Sequence, residues 1–245
     1  MGAMDLNGTH AMVTGGGTGI GLGIALELAG AGARVTICGR RKEPLEEAKR
    51  AHPDLALDSR TLDVADRAAV DALFAELEAA GRSPQIVVNA AGINIKTRSM
   101  AEMTPEQWDQ VMAVNATGAY NCFRAALPAM RTAKSGLIVN ISSISGKRAY
   151  PVAGIAYAAS KFAATALGTG VGLEVAEEGI RVSNIYPGEV DTPILEQRPV
   201  PVPQEKRDRM VKPEDIGRLV RLMAELPETA HIPEVVIKPL YQEYM

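Results

Sequence analysis

The feature that most constrains this chain is a rhythm. Short runs rich in β-branched residues, at 11–14, 34–38, 60–63, 85–89, 136–141, 181–186 and 234–238, alternate with longer Ala-, Leu- and Glu-rich segments. A strand followed by a helical stretch cannot turn back tightly on itself as a hairpin does. The chain crosses over and the next strand returns parallel. The repetition predicts an α/β fold: a doubly wound parallel sheet of seven strands, with helices on both faces. No linker or internal repeat divides residues 6–245, which are read as a single domain; residues 1–5 are set aside as an N-terminal extension.

Composition narrows the functional classes. The 245 residues are 47% hydrophobic, and 26 basic against 29 acidic side chains leave a net charge of −3. With Lys and Arg scattered, no nucleic-acid partner is expected. Cys38 and Cys122 form no C-x-x-C pair, so neither a disulfide framework nor a structural zinc is indicated. His10, His52 and His231 lack metal-ligand spacing and are read as structural or surface residues, with no metal site. Apolar stretches are far shorter than a membrane span and no signal-peptide pattern opens the chain, so a cytoplasmic protein without a membrane partner is expected.

Local punctuation sets several boundaries. Thr104-Pro105-Glu106-Gln107 supplies a capping hydroxyl, a first-turn proline and a glutamine at the third helical position, predicting a helix that runs on toward Met130. Trp108 and Phe123 on that pattern are read as core or interface residues. Gly179 stands where a left-handed helix stop belongs. Between Pro187 and Pro213 there is no apolar period, and Pro193, Pro199, Pro201 and Pro203 break the chain repeatedly. A loop of that length suggests a lid over a substrate, at about 188–212. Its Lys206-Arg207-Asp208-Arg209 cluster is read as a solvated face that could also meet an anion.

Two segments point to chemistry. The first strand runs into Thr14-Gly15-Gly16-Gly17-Thr18-Gly19-Ile20-Gly21, with a helical pattern beginning at Ile20. A strand, a glycine turn and a helix start together form an anion site, because unpaired amides and the helix dipole point at one place. Gly15, Gly17, Thr18, Gly19 and Ile20 are therefore the candidate phosphate-binding residues. A ligand-free βα turn would read the same way. Farther on, Tyr157 and Lys161 stand four residues apart, on one helix face. A nearby ammonium favours the phenolate; bringing a phenol from about 10 to about 7 requires ~4 kcal/mol. Alone, this spacing is also common in ordinary amphipathic helices.

The combination is more specific than its parts. Thr14-Gly-x-x-x-Gly-x-Gly, Asn89-Ala90-Ala91-Gly92, Asn115, Ser142-Ser143, Tyr157-x-x-x-Lys161 and Pro187-Gly188 follow one another across the strand pattern. This order resembles the short-chain dehydrogenase/reductase family, from Leu6 to about Lys238. The resemblance implies a Rossmann-type NAD(P)-binding fold. Tyr157 matches the general acid/base, Lys161 the residue that holds the nicotinamide ribose and lowers the tyrosine pKa, and Ser143 the hydroxyl that orients a carbonyl. Asn115 matches the asparagine that reaches the lysine through water. The spacing from Ser143 to Tyr157 is one residue longer than in many members, which keeps Ser142 and Ser145 as alternatives. Asp63 and Val64 resemble an adenine-contacting pair, although Asp63 also suits a helix cap. Asn89, Ala90 and Gly92 fall beside the cofactor, with Asn89 equally suited to bonding nearby backbone. Pro187, Gly188, Val190 and Thr192 resemble the segment that walls the nicotinamide, with Thr192 on its carboxamide; a plain loop hydroxyl is the alternative for Thr192.

The cofactor choice is read at the end of the second strand. Gly39 stands where an NAD site would offer a carboxylate, and Arg40 follows with a planar fork suited to a 2′-phosphate, so NADP(H) is expected over NAD(H). The expected activity is hydride transfer between nicotinamide and a small carbonyl compound or secondary alcohol. A non-catalytic NADP(H) sensor, or a lyase, epimerase or dehydratase on the same scaffold, remain the alternatives. Loop residues Asn94, Ile95, Arg148, Ala149 and Tyr150 are expected near the substrate. Apolar surface on the patterns at 104–130 and 156–178 leads to an expected homotetramer, failing which a dimer. The tail at 240–245, with Tyr241 and Tyr244, suits either packing on a neighbouring subunit or fraying.

Overall fold

A computed structural model describes residues 5–243. Seven strands, β1 (His10–Thr14), β2 (Arg34–Gly39), β3 (Leu57–Thr61), β4 (Ile86–Asn89), β5 (Gly136–Ile141), β6 (Ile180–Pro187) and β7 (Glu234–Ile237), form one sheet in the order β3-β2-β1-β4-β5-β6-β7. Every pairing is parallel. The winding reverses between β1 and β4, where the connections leave toward opposite faces. A crevice opens there at the carboxyl ends of the strands.

Side-chain alternation assigns each strand residue to a face. Ala11, Val13, Val88, Leu137 and Val139 pack with Ile24 and Leu28 of α1 (Gly19–Gly30), Leu45 of α2 (Lys42–Ala51) and Ile216 and Val220 of α8 (Pro213–Glu225). Met12, Val87, Ile138 and Val182 face the other layer, against Val70 and Leu77 of α3 (Arg67–Ala79) and Phe123 and Met130 of α5 (Gly118–Ala133). With both faces covered, the strands read as nearly continuous apolar runs. Cys38 and Cys122 are free thiols buried in this second layer, and burial pushes the Cys122 thiol up to about 12.

Three expected elements differ in detail. The third strand starts earlier and ends at Thr61, because Leu57 is the residue that pairs with Val35. Asp63 lies beyond it, where its carboxylate accepts from Ala65 N at 3.0 Å; the helix cap is Asp66, which accepts from Ala69 N. The long helix predicted from Thr104 is interrupted. Thr104 and Gln107 do form a reciprocal capping pair, but α4 (Pro105–Met112) widens into a π-type turn at Ala113–Thr117 before α5 begins. Trp108 is half-buried and Phe123 fully buried. Gly179, at φ +78°, stops the turn that follows α6 (Ile155–Val175) as expected.

The proline-rich segment is not a solvated coil. It contains a parallel bridge from Val190 to Val211, a 3₁₀ turn at Pro193–Gln197 and the short α7 (Gln204–Asp208). Lys206 pairs with Glu189 at 3.0 Å and Arg207 with Asp191 at 2.7 Å, so the cluster is a solvated face two of whose cations also meet carboxylates of their own loop. Tyr241 likewise donates to Glu189 at 2.7 Å within the same chain; Tyr244 lies outside the described residues. His10 is buried, with Nε2 2.8 Å from Thr36 Oγ1 and Nδ1 against the Arg82 carbonyl. Among the described residues no group of three or more His, Cys, Asp or Glu is placed to hold a metal, and no helix is long and apolar enough to cross a membrane.

Candidate functional site

The turn from β1 into α1 is shaped by what a Cβ would strike. One added at Gly21 would lie 2.3 Å from Gly15 O, and one at Gly15, itself at φ +66°, 2.9 Å from Ala90 O. Only glycine lets the helix start this close to the strand ends. Thr18 precedes α1 in extended conformation and its side chain makes no cap bond, so the first-turn amides are free toward the crevice. Behind them, Thr14 Oγ1 accepts from Ala90 N and Ala91 N, each at 3.1 Å, and donates to Val88 O. This stitches the loop after β4 to the glycine turn.

A cleft of about 830 Å³ runs along these elements. Gly15, Gly17, Thr18, Gly19 and Ile20 line one wall; Asp63, Val64, Ala90 and Gly92 line another; Arg40 stands at the rim and Thr192 at the far end. Arg40 is exposed, and no ion pair engages it among the described residues. Free amides at a helix start, a cationic rim and a deep cleft fit the pyrophosphate and adenosine of a dinucleotide. Thr192 also packs on the glycine turn: a Cβ on Gly19 would approach its Cγ2 at 3.2 Å.

The second cluster is built from side chains. Tyr157 and Lys161 sit one turn apart on α6, and Tyr157 lines the same cavity as Ser143, just past the end of β5, whose hydroxyl favours the phenolate. The geometry separates the three serines. Ser143 Oγ accepts from Ser145 N, whereas Ser142 Oγ donates to Lys161 O at 3.1 Å and is turned into the α6 backbone. Lys161 is buried and donates to Ile141 O at 2.8 Å, with Nζ 5.6 Å from the Tyr157 ring centroid. Burial pulls its pKa down to about 8.

The expected depression of the tyrosine pKa is not what this geometry gives. Burial holds the Tyr157 phenol above its ordinary value, and the opposing influences are the Ser143 hydroxyl and the charge of Arg98. The lysine ammonium is committed to a carbonyl and faces the ring rather than bonding the phenol oxygen.

Asn115 is presented by the π-type turn. Its Oδ1 accepts from Ile93 N at 2.8 Å, and its Nδ2 donates to Ile93 O and to Ser160 Oγ, both at 2.9 Å. It therefore fixes the loop after β4 against α6. Asn89 is buried, and neither its Nδ2 nor its Oδ1 has a protein partner. Both asparagines line a cavity of about 10 Å³ shared with Thr14 and Lys161.

Next to Tyr157 lies a second cavity of about 200 Å³, continuous with the cleft at Ile20, Gly92 and Thr192. Pro187, Gly188 and Val190 form its floor, and Asn94 and Tyr150 its mouth. Ile95 instead lines the larger cleft, while Arg148 and Ala149 line neither. Glu189 and Arg198, which line this cavity, fall within the lid expected at about 188–212; sequence reasoning missed Arg98 and Gln242, which line it too and carry no shared motif.

Comparison with known proteins agrees with this geometry. Residues 9–200 match the model for the short chain dehydrogenase family. An uncharacterized oxidoreductase of Staphylococcus aureus (strain USA300) is 32% identical over 230 residues, covering 94% of this chain and 96% of that protein. Galactitol 2-dehydrogenase of Rhizobium johnstonii is 35% identical over 228 residues, covering 89% of each chain. Among solved structures, serine dehydrogenase complexed with NADP+ superposes with a TM-score of 0.87 at 28% identity, covering 96% of this chain and 97% of that one. A metagenomic short-chain oxidoreductase in complex with NADP has a TM-score of 0.83 at 32% identity, covering 98% of this chain and 100% of that one.

Proposed function

The chain belongs to the short-chain dehydrogenase/reductase family, and from that premise we propose that it is an NADP(H)-dependent oxidoreductase of small carbonyl compounds and secondary alcohols. The observation that carries this reading is that Ser143, Tyr157 and Lys161 line one compact cavity where it meets the dinucleotide-sized cleft. When bound, the nicotinamide supplies the hydride donor or acceptor. Tyr157 gives a proton to the carbonyl oxygen in reduction and takes it from the alcohol in oxidation; Ser143 orients that oxygen. Lys161 would hold the nicotinamide ribose, and Asn115 keeps the loop after β4 in register with α6. Gly15, Gly17, Thr18, Gly19 and Ile20 cradle the pyrophosphate, Asp63 and Val64 meet the adenine, and Asn89, Ala90 and Gly92 back the ribose. Pro187, Gly188, Val190 and Thr192 wall the nicotinamide.

NADP(H) is preferred because Arg40 offers a charge-assisted fork at the rim and Gly39 brings no carboxylate to repel a phosphate. The NADP named in the solved relatives supports this choice. Residues 188–212 act as the substrate lid of a single domain at 6–245, in a cytoplasmic enzyme. Tyr120 and Phe162, 43% and 42% exposed, and Leu173, 80% exposed, give α5 and α6 an apolar outer surface suited to pairing subunits in a homotetramer.

The test is a panel of ketones, aldehydes and alcohols with NADPH or NADP+, followed by cofactor absorbance. Turnover that depends on both substrate and cofactor supports the reading. Tight NADPH binding without turnover would mark a sensor, and conversion without net change in the cofactor a lyase or epimerase. Sedimentation at micromolar protein checks the assembly: a mass near the 26.0 kDa of one chain overturns the tetramer.

A further inference from the structure

We infer that the second cavity is built for an anionic substrate, a hydroxy or keto acid whose carboxylate is received by Arg98 and Tyr150 beside the reacting oxygen. This rests on the oxidoreductase reading and names the substrate class of that site.

The donor count is the first observation. Arg98 reaches from the loop after β4 across the cavity mouth. Its Nη1 donates to Val152 O and Ala153 O at 2.9 and 2.6 Å, and its Nη2 to Gln197 O at 2.7 Å. A guanidinium has five N–H donors. Three are used; the two left are Nε–H and one on Nη2. Nε is buried and has no partner. The Tyr150 hydroxyl is also buried without a partner, and both residues line the same cavity. Two orphaned donors on residues that line one small space mark a candidate acceptor site, since a buried unpaired donor is costly unless something it binds satisfies it.

Charge is the second observation. Besides Lys161, the charged lining consists of Arg98 and Arg198 against Glu189 alone. Glu189 is already engaged by Arg198 at 2.8 Å, Lys206 at 3.0 Å and Tyr241 at 2.7 Å, and no ion pair engages Arg98 among the described residues. One uncompensated guanidinium therefore remains in a partly desolvated cavity. Arg98, Tyr150 and Tyr157 line this one cavity, so a carboxylate held at the guanidinium shares it with the reacting oxygen. About 200 Å³ limits the substrate to a compact molecule. A planar carboxylate matches a guanidinium edge with two parallel hydrogen bonds.

The reaction balances with groups already named. In oxidation the carbinol C–H bond breaks and its hydride goes to the nicotinamide, the O–H proton goes to the Tyr157 oxygen, and the acid leaves as its keto form with NADPH. The carboxylate is unchanged throughout.

Binding can be measured without turnover. The NADPH complex of the intact protein is titrated by calorimetry with 3-hydroxybutyrate and with its methyl ester, an alcohol and reduced cofactor that cannot exchange hydride. The wild-type complex is expected to bind the acid at least tenfold more tightly than the ester. Tyr150→Phe, which removes only a hydroxyl, should cut that ratio severalfold, and Arg98→Met should abolish it, with NADPH affinity within threefold of wild type in both. Equal affinity for acid and ester in the wild type, or a ratio unmoved by Tyr150→Phe and Arg98→Met together, overturns the inference. Loss of NADPH binding in Arg98→Met would report a damaged loop, and Tyr150→Phe then decides alone. A protein that reduces neutral ketones yet ignores the carboxylate keeps the oxidoreductase reading and loses this one; selective acid binding with no turnover of any compound does the reverse.

Discussion

At the β1–α1 turn the recognition groups are main-chain amides, placed by glycines and by the start of a helix; at the β5–α6 end they are side chains, placed by hydrogen bonds that cross the fold. Thr18 contributes no cap bond and Gly21 no Cβ, so the first region works through what is absent around its backbone. Ser143 and Lys161 work through atoms held by partners, Lys161 on Ile141 O and Ser143 on Ser145 N. A backbone site is damaged by adding atoms, whereas a side-chain site is damaged by removing them.

The largest effect that contrast predicts is at the phenol. Tyr157→Phe keeps the ring and removes the transferable proton, so turnover should fall by about 10²–10⁴-fold with NADPH affinity little changed. Steady-state kinetics beside a fluorescence titration of NADPH check it, and turnover within tenfold of wild type would break the assignment. At the other end the expected change is in affinity. Arg40→Ala should cost NADP about tenfold to a hundredfold, as one lost charge-assisted pair is worth roughly 1.5–3 kcal/mol. NAD binding should be nearly unchanged, and the titrations belong at low ionic strength, where an exposed contact is least screened.

Smaller effects sharpen the comparison through stability. Gly21→Ala adds one carbon 2.3 Å from Gly15 O. Overpacking of this kind costs about 1–3 kcal/mol, at roughly 2–4 °C of Tm per kcal/mol in a chain of this size. Lys161→Met runs the other way. The folded pKa of Lys161, about 8, lies below its ordinary 10.5. Below pH 8 both folded and unfolded chains hold the proton and the fold carries a buried charge; between 8 and 10.5 only the unfolded chain holds it, so stability rises with pH. Removing the charge while losing the bond to Ile141 O should therefore raise stability at pH 7 by about 1–2 kcal/mol, even as turnover disappears. Melting curves should show the gain shrinking toward pH 10.

The same contrast explains what could be read before the fold was known. Sheet, helices and glycine turn were legible because short β-branched runs, glycine spacing and the Thr104–Gln107 cap are local signals. Tyr157 and Lys161 were legible because four residues make one helical turn. The break at Ala113–Thr117 was not, since its apolar pattern continues through it. Arg98 was invisible for a different reason: its partners lie at Val152, Ala153 and Gln197, and no neighbour in sequence hints at them. The ties of Lys206 and Arg207 were hidden likewise, because Glu189 and Asp191 lie across the closed loop.

The wide turn that presents Asn115 has a consequence for how such a gene can change. A π-type turn holds about one residue more than the α-helical turns on either side. Deleting a single codon between Ala113 and Thr117 would close the widened turn into an ordinary helix with the downstream faces kept in place, whereas an added residue that the turn does not absorb would swing everything downstream by about 100°. The first change would take Asn115 from Ile93 and Ser160; the second would take Cys122, Phe123 and Met130 from the sheet. Drift can exchange letters across this stretch while the count stays frozen, which makes an insertion or deletion there more damaging than most substitutions.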